Sequence, residues 1–233
     1  MRLIWDADTM AYISAWSAEG QDVSQAYWNA ENAIEVLSAR VNGLPMTLYL
    51  TGDSNFRYKI FPEYKANRKS QPRPTHLQAV KDYLVAQHNA KISNDVEADD
   101  LCGIDQVQSN QQGEETILYH IDKDLDMIPG KHMNPGIIRG EVLIREEREY
   151  IVSPNDAIRH FYRQLLIGDP SDGIKGAPGI GKVKAERILE GLTDPKELYE
   201  ACLPHYGSDE ELLMNARCLW IWQKENDEWS PPD

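Results

Sequence analysis

Three strand-like runs alternate with helical patterns along the first half of the chain, and this alternation limits the possible folds more than any other feature. The runs are "RLIW" (2–5), "MTLYLTG" (46–52) and "TILYHI" (116–121). The helical patterns cover 24–41, which ends before Asn42-Gly43, 75–88, which opens with Thr75 as N-cap, and 97–109. Strands that alternate with helices predict a mostly parallel sheet with helices on both faces.

An aspartate follows each strand-like run. These are Asp6, Asp53 and Asp122, and further aspartates stand two positions on at Asp8 and Asp124. A single aspartate in such a place is often a turn residue or a helix cap. However, the carboxyl ends of parallel strands meet at one edge of a sheet, where ligands bind. Three aspartates at that edge therefore predict a carboxylate cluster that holds metal ions.

The stretch "NDVEADDLCG" (94–103) places its densest charge where a helix begins. One or two acids are explained by the positive end of the helix dipole, which stabilises each by roughly 0.3–1 kcal/mol. Four acids in six positions repel one another, and a divalent cation would turn that repulsion into shared ligation. We therefore expect Glu97, Asp99 and Asp100 to join the same cluster.

The net charge of −14 argues against general binding of polyanions, because phosphate contacts need Lys and Arg. The basic residues are nevertheless concentrated in two segments, six of them in 56–73 and four in 174–187. The three cysteines have no metal-ligand spacing, and no apolar run is long enough to cross a membrane. An acid close to the N-terminus does not suit a signal peptide, so we expect a cytoplasmic protein.

The segment "FRYKIFPEYKANRK" (56–69) combines aromatic and basic side chains. It is either a solvated basic loop or an electropositive surface for nucleic acid. In the second interpretation Lys65 and Arg68, three positions apart, reach one phosphate, and Tyr64 stacks on a base.

A different pattern follows residue 150. Residues 153–168 predict a helix with Ser153 as N-cap and Pro154 at its first position, and "GDPSD" then places Asp169 and Asp172 three apart. The sequence "GIGK" (179–182) opens a basic helix, and it is either a tight turn or an anion-binding hairpin. The tail, with a short helix and a Trp-bearing end, is expected to pack back on the body.

Six motifs in order carry a resemblance to the flap endonuclease/5′-nuclease superfamily. They are Asp6, "GDSNFR", "EYKANR", "VEADD", "IDKDLD" and "GDPSDGIKGAPGIGK". The resemblance covers roughly residues 1–190, and the ending "NARCLWIW" is similar to that of the small 5′→3′ exonucleases of short-tailed bacteriophages. It implies an α/β fold of the PIN/5′-nuclease type, with a central mostly parallel sheet, helices on both faces and a C-terminal helix–hairpin–helix subdomain. The implied domains are a nuclease core at 1–150 and a helical DNA-binding part at 151–233.

The resemblance also implies a set of site residues. The implied metal-binding acids are Asp6, Asp53, Glu97, Asp99, Asp100, Asp122, Asp124, Asp169 and Asp172. The implied catalytic residues are Lys65, Arg68, Asp6, Asp99, Asp122 and Asp124. The implied DNA-binding residues are Arg57, Tyr64, Lys69, Gly179, Gly181, Lys182 and Lys184. The implied cofactors are two Mg²⁺ or Mn²⁺ ions, with K⁺ at the helix–hairpin–helix.

The implied activity is metal-dependent 5′→3′ exonuclease and flap endonuclease cleavage of DNA that leaves 5′-phosphorylated products. The expected partner is duplex DNA with a 5′ end or flap, and the RNA of RNA/DNA hybrids is a further expected substrate. No membrane partner is expected. The protein is expected to be a monomer in the cytoplasm, or in the host cytoplasm if a phage encodes it. Ala7 and Asp8 depart from the family pattern, and the short segment 68–75 disfavours a long helical arch. Two alternatives stay open, a PIN-type ribonuclease and a non-catalytic module that is receiver-like or binds DNA.

Overall fold

The structure is a computed structural model, and it describes residues 1–68, 70–139 and 142–232. The strands are β1 (Arg2–Asp6), β2 (Met46–Leu50), β3 (Lys91–Ile92), β4 (Thr116–Tyr119), β5 (Gly130–Asn134), β6 (Ile137–Arg139), β7 (Val142–Arg145), β8 (Arg148–Val152), β9 (Gly168–Asp169) and β10 (Ile174–Lys175). The helices are α1 (Asp8–Trp16), α2 (Val23–Arg40), α3 (Arg57–Ile60), α4 (Leu77–His88), α5 (Ala98–Gln111), α6 (Pro154–Ile167), α7 (Lys182–Ile188), α8 (Pro195–Cys202) and α9 (Asp209–Leu219). Short 3-10 helices cover Ala66–Arg68, Lys123–Met127 and Leu203–His205.

Six strands form one sheet in the order β3-β2-β1-β4-β5-β8. The pairs from β3 to β5 are parallel, and only β5 and β8 pair antiparallel in this sheet. The predicted mostly parallel sheet is confirmed. The carboxyl ends of β1, β2 and β4 lie at one edge, and the strand order reverses direction between β1 and β4, which is where such sheets form a crevice.

The strand β1 shows how the sequence fills both faces of the sheet. Leu3 and Trp5 belong to a core with the apolar faces of α1, α2 and α4, whereas Ile4 belongs to a core with α5 and the C-terminal helices. Neighbouring residues of a strand point to opposite faces, so an uninterrupted apolar run is what a strand covered on both sides requires.

The predicted helices in 24–41, 75–88, 97–109 and 153–168 are all present, as α2, α4, α5 and α6. The Ser153 hydroxyl accepts a hydrogen bond from the Asp156 N–H at 3.1 Å, so the predicted cap of α6 is confirmed. The predicted cap at Thr75 is wrong. Its hydroxyl donates to Glu19 instead, and α4 begins two residues later.

The C-terminal helices share their core with one face of the sheet. Phe161 of α6 and Trp229 of the tail are both buried there, with ring centroids 5.7 Å apart, so the tail does pack back on the body. The division into 1–150 and 151–233 stays a prediction. Among the described residues, no helix is both long and apolar enough to span a membrane.

Candidate active site

Three acids come together where the sheet reverses direction. Asp6 is the last residue of β1, Asp122 follows β4, and Asp99 lies in the first turn of α5. Burial, together with the charges of Asp8, Asp122 and Glu97, raises the pKa of Asp6 to about 7. Burial, together with the charges of Asp6 and Asp122, also raises the pKa of Asp99 well above its usual range. The folded chain therefore holds mutually repelling carboxylates in one place.

Asp124 extends this group towards a second acid, Asp169. Burial and the charge of Asp122 raise the pKa of Asp124 to about 8. The Oδ1 atom of Asp124 is buried and has no hydrogen-bond partner. Burial opposes ionisation of Asp169, but hydrogen bonds from the Ser171 N–H and hydroxyl, at 2.8 and 2.7 Å, outweigh it and lower the Asp169 pKa.

These donors fit a hard divalent cation. They are all carboxylate oxygens, their charges repel one another, and the buried Asp124 Oδ1 accepts no hydrogen bond, with the mostly exposed Lys123 ammonium 3.3 Å away as its cationic neighbour. Asp6, Asp99, Asp122 and Asp124 are the residues that would hold such an ion closest to the sheet edge, with Asp169 beside them.

Glu97, Lys65 and Asp172 form a second network beside the first. The Tyr64 hydroxyl lies 2.8 Å from Glu97 Oε2 and 2.7 Å from Asp172 Oδ2, and the Lys65 ammonium is paired with Glu97 and lies 3.6 Å from Asp172. Burial raises the Glu97 pKa, but the Lys65 and Arg57 charges overcome this and lower it. Glu97 is therefore an ionised acid that already has a cationic partner.

Arg68 closes this network on the solvent side. Its guanidinium donates to Asp172 Oδ1 at 2.5 Å and to the Ser171 carbonyl at 3.0 Å. About half of the Arg68 side chain is exposed, so it can contact a ligand that approaches the acids. The predicted pair Lys65 and Arg68 thus sits on the two oxygens of one carboxylate, Asp172.

Three predicted roles are corrected by burial. Arg57 is 2% exposed and Asp100 is 0% exposed, and they bind each other through two hydrogen bonds of 2.6 and 2.8 Å. Arg57 therefore does not contact DNA, and Asp100 has no free oxygen for a metal ion. Tyr64 is 1% exposed, and its hydroxyl is held by Glu97 and Asp172, so it cannot stack on a base.

Asp53 and Asp8 lie towards β2. Asp53 is exposed beside a shallow cleft of about 220 Å³, and no hydrogen bond or ion pair of the described residues links it to the other acids. Asp8 Oδ1 accepts the Thr51 N–H at 3.0 Å and lies 3.4 Å from the Lys81 ammonium, so Asp8 holds the end of β2. The metal role of Asp53 stays a prediction.

One basic residue of the site was missed by the sequence analysis. Lys123 is mostly exposed, and its ammonium lies 3.3 Å from Asp124 and 3.8 Å from Asp169. Its place between two predicted ligands in "IDKDLD" was the available signal. Lys69, which was predicted to bind DNA, lies outside the described residues.

The predicted hairpin joins α6 to α7. Gly179 has φ +69°, which a residue with a Cβ adopts only at a cost, and Gly181 caps α7. Lys182 and Lys184 are exposed, whereas Ala185 packs inward. Arg159 of α6 donates to the Leu189 carbonyl at the end of α7, so the hairpin is anchored while its lysines face solvent. DNA binding by these residues stays a prediction.

No family model matches this chain. A 5′-3′ exonuclease of Buchnera aphidicola (Schizaphis graminum) is 28% identical over 158 residues, which are 65% of this chain and 54% of that protein. A flap endonuclease Xni of Shewanella baltica is 26% identical, over 63% of this chain and 57% of the relative. The chain thus spans about half the length of the curated relatives it matches.

Solved structures are also similar. The D15 protein of bacteriophage T5, crystallised with metal ions, superposes with a TM-score of 0.63 at 20% identity, covering 93% of this chain and 85% of the other. The catalytic core of Rad2 in complex with a DNA substrate gives a TM-score of 0.53 at 14% identity, over 85% and 64%.

The architecture is that of a 5′-nuclease. It combines a mostly parallel sheet, carboxylates gathered at the point where the strand order reverses, and a helical C-terminal part. The sequence relatives bear names from the same superfamily, so fold and sequence together support the similarity to the flap endonuclease/5′-nuclease superfamily. The resemblance noted from the six motifs is thereby confirmed.

Proposed function

We propose that this protein is a metal-dependent 5′→3′ exodeoxyribonuclease and flap endonuclease. The observation that carries the proposal is the convergence of Asp6, Asp99, Asp122 and Asp124 at the reversal point of the sheet, with pKa values of Asp6, Asp99 and Asp124 raised by burial and mutual repulsion. Exonucleases and flap endonucleases among the sequence relatives support the choice of reaction.

Asp6, Asp99, Asp122 and Asp124 would hold two divalent ions, Mg²⁺ or Mn²⁺, with Asp169 and Asp172 nearby. When bound, such ions supply a Lewis acid and lower the pKa of water. The protein's own part is to orient these carboxylates, which are positioned by β1, by the start of α5 and by the 3-10 helix Lys123–Met127.

Lys65 and Arg68 would neutralise charge that develops on the scissile phosphate. Glu97 holds Lys65, and Asp172 holds both residues on the side of the acid cluster. Because Arg68 is half exposed, a phosphate can exchange with Asp172 as its partner. Lys123 is a third cation beside Asp124 and would serve the same purpose.

Lys182 and Lys184, with Gly179 and Gly181 shaping the turn, would bind the DNA backbone without reading its sequence. A DNA complex of the T5 D15 flap endonuclease supports this choice of partner. The same proposal has five further parts. They are a K⁺ ion at the hairpin, action on the RNA of RNA/DNA hybrids, a monomeric state, a cytoplasmic location and the division at residue 150.

The test is digestion of a 5′-labelled flap, a blunt DNA duplex and a matched RNA, each with Mg²⁺ and with chelator, by the parent, Asp99→Asn and the control Asp82→Asn. Asp82 is an exposed acid of α4 outside the site. We expect metal-dependent DNA cleavage by the parent and by Asp82→Asn only. Cleavage of RNA alone would favour the PIN-type ribonuclease, and equal cleavage by Asp99→Asn would contradict the proposed site.

A further inference from the structure

Two buried histidines face each other behind the acid cluster. His120 follows β4 and His132 lies in the neighbouring strand β5, and both are 1% exposed. His120 Nε2 and His132 Nδ1 are 2.9 Å apart. Asp126 completes the group, since one ligand atom from each of the three residues lies within 4.8 Å of the others.

The outer nitrogen of each ring determines where its proton lies. His120 Nδ1 contacts the Asp122 carbonyl oxygen, and His132 Nε2 lies 2.8 Å from the Ile128 carbonyl oxygen. A carbonyl oxygen can only accept, so each of these nitrogens must donate. In the neutral rings the two inner nitrogens are then both bare, and their lone pairs face each other across 2.9 Å.

Two facing lone pairs need a group between them, and Tyr150 is the one further side chain of the described residues that has a hydrogen-bond contact with either inner nitrogen. The Tyr150 hydroxyl has one proton and lies 2.6 Å from Asp126 Oδ1 but 3.4 Å from His120 Nε2, so it donates to the carboxylate. A shared proton would create a buried imidazolium. A metal ion would satisfy both nitrogens and the carboxylate together.

We propose that His120, His132 and Asp126 bind one Zn²⁺-like transition-metal ion, which joins the 3-10 helix Lys123–Met127 to the sheet. An ion at the usual Zn–N distance would hold the two nitrogens roughly 2.9–3.4 Å apart for bond angles from a right angle to tetrahedral. Both histidines also donate their other N–H to a backbone carbonyl, which is the usual outer contact of a metal-binding histidine.

The donor set selects the class of ion. Two imidazole nitrogens and one carboxylate suit Zn²⁺, Co²⁺ or Ni²⁺ better than Mg²⁺ or Ca²⁺, which prefer oxygen. Arg148 lies over the Tyr150 ring, 4.2 Å from its centroid, and its positive charge repels any cation at this site. A bound ion must therefore be held by strong bonds to the two imidazole nitrogens and the carboxylate. The Tyr150 hydroxyl or a water would provide the fourth ligand.

Such an ion would act on structure and not on the cleaved phosphate. Asp124 lies in the same 3-10 helix as Asp126, and the Asp122 carbonyl is bonded to His120. The ion would therefore brace the loop that carries two proposed catalytic acids against β5. This inference does not depend on the proposed nuclease activity, because it rests on separate side chains.

The test is metal binding by chelator-treated protein in excess Mg²⁺, which fills the carboxylate cluster. We expect one Co²⁺ per chain, with the intense visible absorption of a four-coordinate nitrogen-containing site, displaced by one equivalent of Zn²⁺. The band should vanish in His132→Gln and persist in Asp99→Asn and in His88→Gln. His88 is a partly exposed histidine of α4 that pairs with Glu31 instead.

Asp126→Asn provides a second test if His132→Gln fails to fold, since it keeps both imidazoles. Its Zn²⁺ affinity should fall by at least about tenfold. Zn²⁺ should raise the melting temperature of the parent more than that of Asp126→Asn, because only binding to the folded state stabilises. Absence of the Co²⁺ band in the parent, or equal Zn²⁺ affinity in parent and Asp126→Asn, would overturn the proposal and leave a proton-bridged histidine pair.

Discussion

Arg57 and Asp100 form a buried ion pair in which Nη1 and Nη2 of the guanidinium each donate to one carboxylate oxygen, at 2.6 and 2.8 Å. Arg57 also donates to the carbonyls of Cys218 and Trp220, both at 2.8 Å. Asp100 accepts the Trp222 N–H at 3.1 Å. The pair therefore joins the start of α5 to α3 and to the C-terminal tail.

Arg57→Ala should destabilise the protein by about 3–5 kcal/mol, because it leaves the Asp100 charge buried without a partner. Urea unfolding of the metal-free protein measures this change. Lys59→Ala is the matched control, since Lys59 pairs with Asp95 at the surface and should change stability by less than about 1 kcal/mol. Similar midpoints for the two variants would contradict the structural role of Arg57.

The metal-free protein should lose stability as pH rises from about 7 to 8, and the contribution of the acid cluster should level off above that. Burial and neighbouring acids raise the pKa of Asp6 to about 7 and that of Asp124 to about 8. Unfolded aspartates ionise near pH 4, so between pH 4 and these raised pKa values the folded state binds more protons than the unfolded state, and stability falls until those protons are released. Histidines whose pKa is lowered by burial oppose this trend only below about pH 7.

Melting temperatures across that range, with and without Mg²⁺, measure the effect. Mg²⁺ should reduce the decline, since a cation offsets the repulsion that ionisation creates. Asp99→Asn should also flatten it, because one of the repelling acids is gone. A melting temperature that rises with pH in the metal-free parent would show that these carboxylates are not held together.

Arg68→Ala should lower single-turnover cleavage by roughly 10²–10³, the usual effect of losing one preorganised charge partner. Duplex binding should change far less, because the lysines of the hairpin are proposed to supply most of it. Lys224→Ala, at an exposed lysine of the tail, is the control and should cleave like the parent. If binding fell as much as the rate, Arg68 would be a phosphate anchor and not part of the chemistry.

Lys182→Ala or Lys184→Ala should weaken DNA binding to a similar extent for unrelated sequences, and each should reduce the salt slope by about one. Fluorescence anisotropy at several salt concentrations, with Ca²⁺ in place of Mg²⁺, gives both quantities. Lys196→Ala changes an exposed lysine of α8 and should leave the slope intact. Parent-like slopes in both hairpin variants would remove the hairpin from the interface.

The sequence predicted what depends on local order. The apolar run of β1, its terminal aspartate and the Ser153-Pro154 start of α6 each have a signal within a few residues. The errors at Arg57, Tyr64 and Asp100 have one cause. The neighbouring sequence predicted that these side chains would contact DNA or metal ions. In the structure they are covered by the tail and by the loop around Asp172, which are more than 100 positions away in the chain.

The histidine pair was missed for a related reason. His120 and His132 are 12 positions apart, and only the pairing of β4 with β5 makes them neighbours. Similarly, no local pattern predicted the antiparallel strand β8, which brings Tyr150 next to His120, His132 and Asp126. Strand register is a long-range property, so residues that it brings together carry no short motif.

Asp124→Asn is the variant that separates an enzyme from a binding module. The substitution keeps the size of a side chain whose Oδ1 is buried without a hydrogen-bond partner, but it removes the charge and weakens the oxygen as a ligand for a hard cation. Cleavage with Mg²⁺ should therefore fall by roughly 10² or more. DNA affinity measured with Ca²⁺ should stay within a few-fold, because the lysines of the hairpin are unchanged.

The metal-free variant should melt no lower than the parent above pH 7, since burial and the Asp122 charge raise the Asp124 pKa to about 8 and so make its ionised form unfavourable. Asp82→Asn should match the parent in all three measurements. Parent-like cleavage by Asp124→Asn would remove this residue from the proposed metal site, and an unfolded variant would give Asp124 a structural role.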